Sequence, residues 1–108
     1  MDKDNLYFLK ISAHISAGKH HEFEQTVKFI FNHLPVSCLG RNLALDVYQA
    51  NLYHFYSLWQ NEEGLQSFKA SHEYDLLKGV FHTLGEYQDM MAGKLAEVQL
   101  FELNQLDA

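Results

Sequence analysis

The sequence predicts an α+β domain of order β-α-β-β-α-β, a ferredoxin-like split βαβ arrangement with a four-stranded antiparallel sheet and the helices on one face. Three observations predict it. Stretches in which apolar and polar residues alternate trade places with stretches whose apolar residues recur every three or four positions. Two of the alternating stretches lie so close in sequence that only an antiparallel hairpin can join them. Two capping residues, Asn61 and Ser71, each stand before an apolar stripe, so the second helical region is broken in two.

The first strand lies within Leu6–Ser16, where Tyr7, Leu9, Ile11, Ala13 and Ile15 share one face and Phe8, Lys10, Ser12 and His14 the other. Gly18 opens the turn that follows. Phe23, Val27, Ile30, Phe31 and Leu34 then form one helical stripe, with Glu22 and Glu24 near its positive end and Pro35 as its stop. The hairpin comes next. Leu43, Leu45 and Val47 alternate with Ala44, Asp46 and Tyr48, a short turn spans 49–51, and LYHFYSLWQ returns. Asn61 caps a short helix with Leu65 and Phe68 inward. Ser71 starts a longer one through Tyr74, Leu77, Val80, Phe81 and Leu84. That helix closes at Gly85 or runs on through Tyr87 and Met91 to Gly93. The last strand is expected in KLAEVQLFEL, with Ala96, Val98 and Leu100 on one face, and Asn104–Ala108 as a loose tail.

At 108 residues this is a single domain, 1–108 with a core of 6–104. A net charge of −6, from 14 acidic and 8 basic residues, leaves no positive stripe to follow phosphates, so nucleic acid is not an expected partner. No apolar run approaches the roughly 18 residues of a membrane span, and no signal-type segment opens the chain. The single cysteine, Cys38, can form no internal disulfide and fits a cytoplasmic location. No HxxxH or HExxH pair is found among the seven histidines, so no metal is expected. Eight Phe, six Tyr and one Trp are enough to fill a core, a pocket or a subunit interface.

Trp59, Glu63, Leu65, Phe68, Ser71 and Tyr74 follow the aromatic strand in the pattern W-x-x-x-E-x-L-x-x-F-x-x-S-x-x-[YF], and His72 stands just after the serine. With Gly18-Lys19, Glu22-Phe23 and Cys38-Leu39-Gly40, this resembles the antibiotic biosynthesis monooxygenase family over about Leu6 to Asn104, although Ser37 stands where a glycine is common. The resemblance implies a dimeric α/β barrel of two facing sheets with helices outside. The residues point to a homodimer independently: Phe8, Tyr48 and Phe101 interrupt Lys10, His14, Asp46 and Glu97 on the strand face away from the helices. A second copy would cover that patch. His14 is expected to join Asp46 or Glu97 there.

The family includes oxygenases that use neither metal nor flavin, so the resemblance implies no cofactor. It implies a small apolar or aromatic ligand in a slot between sheet and helices, expected from Leu9, Ile11, Leu45, Val98, Phe23, Val27, Phe68 and Leu77. His72 is the candidate base and Tyr56 its catalytic companion. Ile11, Trp59, Phe68, Tyr74, Lys78 and His82 are candidate substrate-binding residues. Trp59 serves either as a packing anchor where the strand turns into helix or as a wall of the slot. His72 is either a base or a solvated first helical residue. On the inferred register Tyr56 shares a face with Leu45 and Val47, and Trp59 lies on the other. A haem-degrading branch of the family carries Asn, Trp and His where this sequence has Ile11, Phe68 and Lys78, which disfavours that chemistry. Three functions stay open: a cofactor-independent oxygenase of a small aromatic or quinol, a non-catalytic dimeric binder of a small ligand, and an isomerase of a small metabolite. Fold alone cannot choose among them.

Overall fold

The computed structural model describes residues 6–95. The elements are β1 (Tyr7–Ile15), a single 3-10 turn (Ala17–Lys19), α1 (His20–Phe31), β2 (Cys38–Leu45), β3 (Leu52–Trp59), α2 (Glu62–Lys69), α3 (His72–Leu84) and β4 (Gly85–Lys94). The sheet has four antiparallel strands in the order β2-β3-β1-β4, which is the predicted ferredoxin-like architecture. Within one chain the sheet is open, with β2 and β4 as its edges. Among the described residues no helix is long and apolar enough to cross a membrane.

One sheet face is buried under the helices. Leu9, Ile11, Ala13 and Ile15 of β1 lie beside Tyr53, Phe55, Ser57 and Trp59 of β3, all buried. Phe23, Val27 and Ile30 of α1, Leu65 and Phe68 of α2, and Leu77 and Phe81 of α3 close over them. Each such side chain contributes about 1.5–3 kcal/mol by leaving water. Ser57 is buried in this face without penalty, because it accepts the Trp59 Nε1 hydrogen at 2.8 Å and its hydroxyl points to the Leu9 carbonyl at 3.5 Å. The break between α2 and α3 is built as the capping residues predict. Asn61 Oδ1 accepts from Gly64 N at 2.7 Å and Ser71 Oγ accepts from Tyr74 N at 3.1 Å.

Of the two ends expected for α3, the structure takes the nearer, at Leu84–Gly85, and β4 occupies the stretch of the other, 85–94, while the strand expected over 94–103 lies beyond Leu95 outside the described residues. The cause is a close approach at Gly85, which lies opposite Ile15. A Cβ there would stand 1.9 Å from the His14 carbonyl oxygen, so only glycine lets helix pass directly into a strand against β1. Ala96, Glu97, Val98, Leu100 and Phe101 lie outside the described residues, as does the 104–108 tail. β2 also ends earlier than the alternation suggests. Asp46 Oδ2 accepts from the backbone N–H of Tyr48 and Gln49 at 2.9 and 2.8 Å, which turns the chain before Val47 can extend the strand.

The hairpin closes with Asp46 N donating to Leu52 O at 2.8 Å, and this register sets the faces. Leu45 pairs with Tyr53 and Leu43 with Phe55 on the helix side, whereas Tyr56 pairs with Asn42 on the open side. Tyr56 therefore does not share a face with Leu45. On the open face, Asp46 finds His54 rather than His14. His54 Nε2 lies 2.9 Å from Asp46 Oδ1, and His54 Nδ1 lies 2.8 Å from Ser12 Oγ. An ionised carboxylate only accepts, so His54 Nε2 donates to Asp46, and Nδ1 shares a hydrogen bond with the Ser12 hydroxyl. The His54 hydrogen bond, then the two backbone N–H groups, hold the Asp46 carboxyl down at about 2.

Candidate functional site

A row of aromatic residues leads from the core to the surface at the β4 side of the sheet. Trp59 is fully buried and stacks on Phe68 with ring centroids 5.0 Å apart, and Phe68 meets the edge of Tyr74 at 5.3 Å. Tyr74 is only 6% exposed, yet its hydroxyl reaches the inner end of a cleft between α3 and β4. The cleft encloses about 450 Å³ and is lined by Tyr74, Lys78 and His82 from α3 and by Tyr87 and Met90 from β4. The helix supplies its three residues at i, i+4 and i+8, one above another on a single face. β4 supplies its two on either side of a bulge: the register against β1 shifts between Ser12 and Ala13, which pair with Asp89 and Tyr87.

The polar groups of the cleft are held but weakly committed. The Tyr74 hydroxyl donates to Met90 Sδ at 3.2 Å, and a thioether is a poor acceptor. Burial pushes the Tyr74 phenol up, and Tyr87 adds to the effect, so at neutral pH Tyr74 remains a donor. The Lys78 ammonium rests over the Tyr74 ring, 5.1 Å from its centroid. His82 is exposed, with its ring centroid 6.3 Å from that of Tyr87. The arrangement can hold a flat ring, donate a hydrogen bond to an oxygen at the inner end, and present two basic groups at the mouth.

The sequence-selected residues fall into three places. Tyr74, Lys78 and His82 meet in this cleft. Ile11, Trp59 and Phe68 are buried in the packed core, where Trp59 and Phe68 back Tyr74 from behind and Ile11 touches no open space. The two candidate catalytic residues are brought neither to the cleft nor to each other. His72 lies exposed in a groove between α1 and α3, with Glu22, Thr26, Asp75 and Leu76. Tyr56, 40% exposed, lies on the open sheet face beside a hollow formed with Phe8, Asn42 and Leu58. The slot expected from Leu9, Ile11, Phe23, Val27, Phe68 and Leu77 is filled by those side chains themselves, Leu45 is exposed, and Val98 lies outside the described residues. Tyr87 and Met90 were missed. Their signal, an aromatic and a thioether following Gly85, falls in the stretch left open between a helix end at Gly85 and a continuing helix.

Among the described residues no three His, Cys, Asp or Glu side chains gather as a metal site would need. The positions compared with haem ligands do not fit haem either. Ile11 and Phe68 are sealed in the core, and a protonated Lys78 cannot ligate iron.

No protein-family model and no curated protein matches the sequence. Solved structures match its fold closely. A conserved protein from Methanosarcina mazei Go1 superposes with a TM-score of 0.77 at 9% identity, over 87% of this chain and 96% of that one. A Chloroflexus aurantiacus J-10-fl protein, described as a candidate antibiotic biosynthesis monooxygenase, gives 0.68 at 12% identity over 87% and 96%. A mutant of SnoaB, a cofactor-independent oxygenase from Streptomyces nogalater, gives 0.68 at 14% identity over 90% and 98%. The chain therefore has the fold of the antibiotic biosynthesis monooxygenase structures, at identities that speak for architecture alone.

Proposed function

We propose that the α3–β4 cleft is the active site of a cofactor-independent monooxygenase acting on a small aromatic or quinol-type molecule. One observation carries the reading: a buried tyrosine hydroxyl, Tyr74, aimed into an aromatic-walled cleft and pledged only to a thioether. A developing oxyanion is a far better acceptor than Met90 Sδ, so Tyr74 strengthens its hydrogen bond as charge builds. His82 is the basic group in reach of a substrate hydroxyl and takes its proton. The electron-rich anion then reduces dioxygen directly. For a quinol the sum is quinol plus O2 giving hydroxyquinone plus water, with one oxygen atom entering the ring and the other leaving in the water. The likeness to SnoaB, a cofactor-independent oxygenase, supports the same reading.

The protein acts in this reading as a homodimer. Phe8, Tyr56 and Leu58 lie on a sheet face that no helix among the described residues covers, and a second copy related by a two-fold axis would close the hollow beside them.

Oxygen uptake with hydroquinones and anthrones, with and without a chelator, tests the function. Turnover that survives chelation and falls about 100-fold in Tyr74→Phe is expected, the loss typical of one oxyanion donor. His72→Ala and Tyr56→Phe should leave it unchanged. Loss in His72→Ala with a normal Tyr74→Phe would move the site to the outer groove. No uptake at all would leave a ligand-binding domain or an isomerase.

A further inference from the structure

The α3–β4 cleft differs in charge from the rest of the molecule. The chain carries 14 acidic residues against 8 basic, yet none of the five described residues that line the cleft is acidic and one, Lys78, is cationic. Lys78 is held at the mouth by the face of the Tyr74 ring rather than by a carboxylate. Among the described residues the ion pairs are Lys19–Glu22 and His54–Asp46, and neither involves Lys78. A cation resting on a ring exchanges that contact for an anionic partner at little cost, because it retains the ring beneath its stem while the ammonium turns outward.

The cleft thus has two ends of different chemistry. Its inner end offers a neutral donor, the Tyr74 hydroxyl beside Met90 Sδ, and its mouth offers a cation, the Lys78 ammonium. A neutral quinol would use the first and leave the second idle. Resting on the reading of this cleft as an oxygenase site, we propose that its substrate is an aromatic acid: a hydroxyarene whose hydroxyl lies against Tyr74 and whose carboxylate is taken by the Lys78 ammonium at the mouth. The carboxylate fixes which ring edge enters first, so the hydroxyl that must ionise is the one delivered to the donor. It also makes binding sensitive to salt in a way that ring stacking is not.

Three probes separate the contributions: gentisate, its methyl ester, and hydroquinone. Binding is followed by isothermal titration, and turnover by oxygen uptake, on the intact protein at low and high salt. Gentisate should bind about three- to fivefold more tightly than its ester, the size of a solvent-facing ion pair. The ratio should fall towards one at high salt and in Lys78→Gln, a variant of an exposed side chain that should fold normally. His82→Gln removes the group that takes the substrate proton, so it should slow turnover and leave the binding ratio unchanged. Equal binding of acid and ester by the wild type, or a ratio unmoved in Lys78→Gln, overturns the proposal. If hydroquinone is oxidised as well as gentisate, the oxygenase reading stands and the acid preference falls. If none of the three binds, both fall together.

Discussion

The two faces of this one sheet solve the same problem in opposite ways. On the covered face, the odd-numbered residues of β1 and β3 point into three helices, and their stability comes from layers packed above them. Even Ser57, the polar residue there, is satisfied from its own sheet and by its neighbour Trp59. On the open face, no helix among the described residues lies above the even-numbered residues, and they bond sideways. Ser12 on β1, His54 on β3 and Asp46 at the end of β2 form one hydrogen-bonded string across three elements. The comparison teaches that alternation alone decides which residues share a face, while what lies over the face decides whether they pack or pair. The cleft lies where the covering gives out, at the β4 edge, so its walls come from the packed layer and its mouth from solvent-facing groups.

The sharpest way to break the comparison is to substitute one residue on each face. Phe55→Ala removes a fully buried ring that meets Phe31 at 5.4 Å, and should cost about 3–5 kcal/mol in urea unfolding whatever the protein concentration. Leu58→Lys, on the open face, should change the stability of the isolated chain by no more than about 0.5 kcal/mol. Its effect belongs to association: the wild-type Tm should rise with concentration and the variant's should not, with sedimentation showing a monomer. A flat wild-type Tm and a monomeric wild type would remove the second copy from the open face. A cost below about 1 kcal/mol for Phe55→Ala would mean that the covered face is not packed as described.

A smaller effect tests the junction that makes the cleft. Gly85→Ala forces a methyl against the His14 carbonyl, so β4 must move off β1 or the last turn of α3 must unwind. The expected cost is about 1–3 kcal/mol, and because Tyr87 and Met90 follow directly, ligand binding in the cleft should weaken along with stability. Unchanged binding in a destabilised protein would separate the cleft from this junction. Gly18→Ala, with nothing near the added methyl, is the control that should do neither.

Much of this architecture was legible because the residues that define it act locally. Alternation in β1, the three-and-four stripe of α1, and the caps at Asn61 and Ser71 report on neighbours within one turn, and each element stands where they put it. The strand at 85–94 was not legible, because in sequence a helix end at Gly85 and a continuation through Tyr87 and Met91 were both open, and only the approach of Gly85 to His14, 71 positions away, forbids the second. The site was half legible for the same reason. Tyr74, Lys78 and His82 share a helix face and could be found by spacing, whereas Tyr87 and Met90 join them only across the α3–β4 junction. His72 and Tyr56 were chosen by chemical type, and type says nothing about which side of a sheet a residue faces.

The smallest effect expected is also the most specific to the open face. Asp46 has its carboxyl held at about 2, below the usual value of about 4, first by His54 and then by the turn's backbone N–H groups. A carboxyl whose value falls on folding favours the fold only while ionised. Its contribution is therefore complete above about pH 4 and disappears as pH falls towards 2. Because this carboxylate stands at the solvent edge of the string, the gain is modest, and its pH profile rather than its size is the signature. Asp46→Asn should lower the urea midpoint at pH 7, and the gap to wild type should close steadily between pH 4 and pH 2. A gap that stays constant through that range would mean that shape, not charge, is what Asp46 gives the turn. His54→Gln refines the test. Glutamine donates to Asp46 without ever carrying charge, so the acid-side closing should persist in this variant.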